Sequence, residues 1–174
     1  MNLVLRPARA EDADALPNIE RSAGEAFRAL PDLASLAGDE PTSVEEYLDA
    51  IAADTVWVAQ QSAGPIVGVV LAERIDGDLH VWEFAVRHDI QGQGIGRRLL
   101  EAVIEDARTW GLRAVTLTTF RDVSWNAPFY ARLGFKTLAG STIGPRLSAI
   151  LASEAARGLP SDRRCAMRCD LKPT

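Results

Sequence analysis

The sequence predicts an α/β fold: a mixed, mostly antiparallel sheet of about six or seven strands flanked by helices. Three observations carry that reading. TVWVAQQ, PIVGVVLAERI and DLHVWEFAVR are successive apolar, β-branched runs joined by the turn sequences SAG and DGD, which makes an antiparallel meander. The last of them leads through a helix into AVTLTTF, and a strand, helix and strand of that length close as a right-handed crossover with parallel strands. With 174 residues, 47% of them hydrophobic, the chain can bury one core and is too short for two ordinary domains, so a single domain over 1–174 is expected.

The elements follow in order. NLVLRPA alternates apolar and polar residues and reads as the first strand. EDADALPNIERSAGEAFRAL has helical spacing weakened by Pro17 and Gly24, which predicts one helix that is kinked or split. PDLASLAGDEPTS reads as a loop-rich passage. Ser43 then caps a helix through VEEYLDAIAA, with Glu46 three positions on as in a capping box. After the meander, Leu99, Leu100, Val103, Ile104, Ala107 and Trp110 form one helical stripe, and Gly111 stops it. AVTLTTF is a strand, NAPFYARL a short helix and GFKTLAG a strand. PRLSAILASEAARG is helical, with Pro145 suited to its first turn and Gly158 to its end, and RRCAMRCDL is the final strand.

Composition narrows the function classes. A formal net charge of -5 argues against a nucleic-acid protein, because phosphate binding wants a basic surface. The start shows no basic segment followed by an apolar run, and no stretch of about 18 uncharged apolar residues occurs, so neither export nor a membrane span is expected and the cytoplasm is the expected compartment. Cys165 and Cys169 lie four apart in one strand, about 13 Å, beyond the roughly 7 Å limit between the Cα atoms of a disulfide. Buried free thiols are expected. With only His80 and His88 available, a zinc site is not expected.

The chemistry centres on AVRHDIQGQGIGRRLL (85–100). Glycines between a strand and a helix let backbone amides approach an anion at the positive end of the helix. A dinucleotide fingerprint starting at Gly92 would need glycine where Arg97 stands, and the Gly-Lys-Ser/Thr of a P-loop is absent. What matches is Gln91-Gly92-Gln93-Gly94-Ile95-Gly96, a Gln/Arg-x-x-Gly-x-Gly/Ala loop, followed at the expected distance by NAPFYARLGF (126–135). The two motifs resemble those of the GNAT superfamily of acyl-CoA dependent N-acetyltransferases. The resemblance is sharp over 79–138; His88 departs from it, standing where many relatives have proline.

That resemblance implies the GNAT fold with splayed central strands, acetyl-CoA as acyl donor and no metal. It implies that amides of Gln91, Gly92, Gln93, Gly94, Ile95, Gly96 and Arg97 hold the pyrophosphate of coenzyme A, that pantetheine lies along Phe84, Ala85 and Val86, and that Asn126 and Phe129 lie near it. Arg97 can equally form an ion pair with Glu101 four residues on. Tyr130 is the expected general acid for the departing thiolate. A phenol near pKa 10 opposite a thiol near 8.5 is uphill by roughly 2 kcal/mol, small against a chemical barrier. Glu83, a carboxylate in an otherwise apolar strand, is the expected general base, with pairing to an arginine as the alternative. His80 is expected at a strand end. The oxyanion would be held by the backbone amide of Val86 or its neighbour. The resemblance also puts the acceptor near Glu20, Glu25, Phe27 and Asp32, with Thr118, Phe120 and Trp125. The expected acceptor is the primary amine of a small molecule or an amino terminus. A catalytically silent acyl-CoA binding module and a protein-substrate acetyltransferase are the alternatives. The helix at 145–157 could cover the acceptor pocket, form a homodimer contact or pack on the sheet.

Overall fold

The structure, a computed structural model, describes residues 2–171. Seven strands hydrogen-bond in the order β1-β2-β3-β4-β5-β7-β6, and the chain divides into two compact units.

The first unit holds the chain up to Glu73 together with Glu83–Val103. β1 (Leu3–Pro7) pairs antiparallel with β2 (Val56–Gln61), and β2 pairs antiparallel with β3 (Ile66–Ile75), with a register shift at Ala59 and Gln60. Between β1 and β2 the expected single helix is split. A 3-10 turn (Ala10–Ala15) leads into α1 (Leu16–Gly24), and a second 3-10 turn (Glu25–Ala29) follows. Pro17 lies in the first turn of α1, where its missing N–H costs nothing. The passage read as loop contains a third 3-10 segment, Pro31–Gly38. α2 (Val44–Ala52) begins on the expected capping box: the Glu46 amide donates to Ser43 Oγ at 3.2 Å, and the Ser43 amide to Glu46 Oε2 at 2.9 Å. Leu16, Ile19, Tyr47, Val56, Val58, Val69 and Leu71 bury against one another as the core of this unit.

The second unit holds Arg74–Trp82 and the chain from Ile104 onward. Asp76 and Gly77 both have positive φ (52° and 79°), the two-residue hairpin geometry that matches strand twist. β4 (Asp78–Val86) starts here and continues into the first unit. Its parallel ladder with β5 (Ala114–Phe120) pairs Leu79, His80 and Val81 with Val115, Thr116 and Leu117. β7 (Arg164–Asp170) pairs antiparallel along the whole of β5. α4 (Ala127–Ala131) and α5 (Gly144–Ala156) lie where the sequence predicts them, but β6 is only Lys136–Thr137, because 140–142 turn off as a 3-10 segment. α3 (Ile95–Thr109) is shared by both units, and Leu99, Leu100, Val103, Ile104 and Ala107 are buried as the stripe requires. Trp110 departs from it. It is 38% exposed, with the Arg74 guanidinium 3.8 Å from its ring centroid. Cys165 and Cys169 are buried free thiols, and burial pushes both up. Among the described residues no helix is long and apolar enough to cross a membrane.

Candidate active site

The glycine loop lies between β4 and α3, entirely in the first unit. Gly92 and Gly94 have φ of 77° and 78°, the left-handed region that a side chain disfavours, and the space where a Cβ would stand is open at both. Gly96 serves another purpose. A Cβ there would lie 2.9 Å from Phe84 Cζ, so this glycine lets the helix start pack against the strand. The Arg98 amide donates to the Gly94 carbonyl at 3.2 Å, closing the first turn of α3, and helix geometry leaves the amides of Ile95, Gly96 and Arg97 without intrahelical acceptors. Gln91, Gly92, Gln93 and Gly94 are exposed while Ile95 is buried as the anchor. The result is an exposed loop with open glycine Cβ positions before a 15-residue helix, which fits a pyrophosphate.

The loop is tied back to its strand. Gln91 Nε2 donates to the Val86 carbonyl at 2.9 Å, a contact that the sequence motif does not reveal. The Arg87 amide donates to the Val67 carbonyl at 2.9 Å, so it is engaged within the first unit. Arg97 takes the ion-pair alternative, its Nε 2.8 Å from Glu101 Oε1, with both side chains well exposed. Ala85 and Val86 are buried, and Phe84 is partly buried.

In the same unit Glu83 is partly buried, and Tyr47 is fully buried; burial first, then Glu20 and last the Glu83 charge push that phenol up. Tyr47 donates its hydroxyl to Glu20 Oε1, and the Thr42 amide donates to Glu20 Oε2 at 3.2 Å. Burial raises the Glu20 carboxyl above its ordinary range. Tyr47 escapes the sequence reading because it packs as a core residue 27 positions from Glu20. The other carboxylates expected near the acceptor divide differently. Glu25 is taken up by Arg28 at 2.6 Å in an exposed i,i+3 pair, and Asp32 is exposed.

In the second unit Tyr130 is buried on α4, its ring edge-on to Phe129 at 5.3 Å and to Phe135 at 5.7 Å. Asn126 stands at the N-cap of α4 and its carbonyl accepts the amides of Phe129 and Tyr130, but its side chain makes no cap hydrogen bond. The side chain is therefore not needed for the ordinary capping role. His80 is not a strand-end residue. It is fully buried with Nδ1 2.9 Å from Thr116 Oγ1, and burial followed by the Arg146 charge pushes its pKa down to about 4. Thr118 and Arg164 both bond Glu154 of α5, and Phe120 is buried beneath the Arg164 guanidinium at 4.7 Å, so these groups pin α5 to β5 and β7. Among the described residues no group of three or more histidine, cysteine or carboxylate side chains is placed to hold a metal ion.

Residues 22–135 match the model of the acetyltransferase (GNAT) family, and the chain belongs to that family. It is 31% identical over 130 residues to mycothiol acetyltransferase of Actinosynnema mirum, covering 74% of this chain and 42% of that protein. It is 29% identical over 110 residues to the uncharacterized N-acetyltransferase YvbK of Bacillus subtilis, covering 63% and 69% respectively. The PaiA N-acetyltransferase of Thermoplasma acidophilum, solved in complex with coenzyme A, shares the fold with a TM-score of 0.71 at 16% identity, over 98% of this chain and 99% of that one. Membership sets the reaction class as acetyl transfer with acetyl-CoA as donor.

Proposed function

We propose that the protein acetylates the primary amine of a small molecule or of an amino terminus by direct attack on acetyl-CoA, with Tyr130 as general acid and Glu83 as general base. The carrying observation is the loop at Gly92 and Gly94, left-handed and open, ahead of the α3 amides. The rest of the donor site follows the family pattern: pyrophosphate on the amides from Gln91 to Arg97, pantetheine along Phe84, Ala85 and Val86, and Asn126 and Phe129 beside it. The family match runs through residues of both compact units, which supports reading the chain as one functional domain.

Acetyl transfer has three demands: the amine must lose its proton, the oxyanion must be stabilised and the thiolate must be protonated. In this reading Glu83 takes the amine proton directly or through water, the Val86 amide faces the oxyanion and the Tyr130 hydroxyl protonates the thiolate. The aromatic contacts of Tyr130 favour a fixed ring, so Tyr130→Phe preserves packing and removes only the proton donor. Turnover should then fall by about 10² to 10⁴ fold with coenzyme A affinity unchanged. Wild-type turnover by the folded variant would leave Tyr130 as packing.

A further inference from the structure

His88 stands where many members of the family have proline, and its amide has a use that proline could not serve. The residue opens a single 3-10 turn, His88–Ile90, between the end of β4 and the glycine loop. Its N–H donates to Ser22 Oγ, in the last turn of α1, at 3.1 Å. Proline has no N–H and cannot make this bond. The His88 carbonyl accepts the amide of Gln91, the first residue of the loop, at 3.3 Å. The backbone of one residue thus joins α1 to the loop. Two further bonds fix the same turn: the Arg87 amide on the Val67 carbonyl of β3, and Gln91 Nε2 on the Val86 carbonyl of β4, each at 2.9 Å. All of these residues lie in the first unit; Ser22 is half-buried, and the His88 side chain is exposed. At Gly92 and Gly94 nothing stands within 4 Å of where a Cβ would be, so packing there does not hold the loop. Its position is set by the turn before it and by α3 after it.

We infer that Ser22 is a positioning residue for coenzyme A, acting on the glycine loop through the peptide N–H of His88, and that the His88 ring has no part in it. The inference rests on the loop amides holding the pyrophosphate. An anion shared by several amides needs them fixed in a common direction, and any ordering left until binding is subtracted from affinity. A turn anchored to β3, β4 and α1 brings Gln91 and the glycines behind it already placed. Loss of the α1 anchor frees one side of the turn and leaves the other two intact, so the loop keeps its shape but meets the ligand less ordered.

The test is calorimetry of coenzyme A binding to the full chain and its variants, with thermal melting to establish that each is folded. Ser22→Ala removes the acceptor. His88→Pro removes the donor but keeps the carbonyl that takes the Gln91 amide. Proline fits there, because Arg87 is extended (φ -47°, ψ 132°), as the residue before proline must be, and the first residue of a 3-10 turn has a φ close to that of proline. Each should weaken binding about fivefold, the range expected for one hydrogen bond, and the double variant should be no weaker than either, since both remove the same contact. Ser22→Thr keeps the hydroxyl and His88→Ala keeps the N–H, so both should bind as wild type does. Wild-type affinity in Ser22→Ala and His88→Pro, a double variant whose loss is the product of the two single losses, or an equal loss in His88→Ala would overturn the inference. Gly94→Val separates it from the reading beneath it. If Gly94→Val weakens binding while Ser22→Ala and His88→Pro do not, only the positioning role has failed. If Gly94→Val binds as wild type does, the pyrophosphate assignment has failed and the positioning role with it.

Discussion

His80 illustrates how a single side chain ties stability to pH. Its pKa near 4, against an ordinary value near 6.5, means that the folded protein keeps the ring neutral where an unfolded chain would bind a proton. Above about pH 6.5 both states are neutral and nothing is lost. As pH falls from there toward 4 the unfolded state gains a proton that the folded state refuses, so stability drops by up to about 3 kcal/mol and then levels off. Denaturant unfolding of wild type and His80→Gln at pH 7, 5.5 and 4 should show the wild type's advantage shrinking across that window. An advantage constant with pH would contradict the shift. The same residue marks a limit of sequence reading. The sequence puts His80 at a strand end, but its burial depends on β5 and α5, which deliver Thr116, Arg146 and Glu154 from 36 to 74 positions away. The pairing of Tyr47 with Glu20 was hidden for the same reason: period and propensity are local, and this pairing is not.

At the scale of elements, the pattern was most legible where one local rule decides the outcome. Ser43 and Glu46 cap α2, Asp76 and Gly77 turn β3 into β4, and the stripe of α3 is buried as its spacing requires. The pattern failed where two rules compete. GFKTLAG has strand character, yet its pairing with β7 ends with the Leu138 amide on the Ala166 carbonyl, because the Thr142 hydroxyl takes the Ala139 amide at 2.9 Å and turns the chain into the approach to α5. The glycine loop carries the element-scale prediction. Gly94→Val places a β-branched residue at φ 78° and fills the open space above the helix amides. Coenzyme A affinity should weaken by about tenfold or more, roughly 1.4 kcal/mol. Gly111→Val is the control, since Gly111 has a comparable φ of 71° at the other end of α3. It should lower stability and leave affinity alone. Calorimetry showing wild-type coenzyme A binding by folded Gly94→Val would contradict the pyrophosphate assignment.

For the whole molecule, connectivity was read from the chain with few errors. The meander, the parallel β4 and β5 pair and the final antiparallel strand all occur, whereas the insertion of β7 between β5 and β6 has no local signature. The glycine loop was legible because it is written in contiguous backbone, Gln91 through Arg97. Side chains that meet from separate elements, as Glu20 and Tyr47 do, leave no such contiguous signature. The most direct test of the proposed activity is therefore thiol release from acetyl-CoA against a panel of small primary amines and amino-terminal peptides, with acetylated product identified by mass. The account predicts amine-dependent release of coenzyme A matched mole for mole by N-acetylated product for at least one acceptor. Tight coenzyme A binding with no acetylated amine anywhere in the panel would contradict it and identify the protein as a silent acyl-CoA binding module.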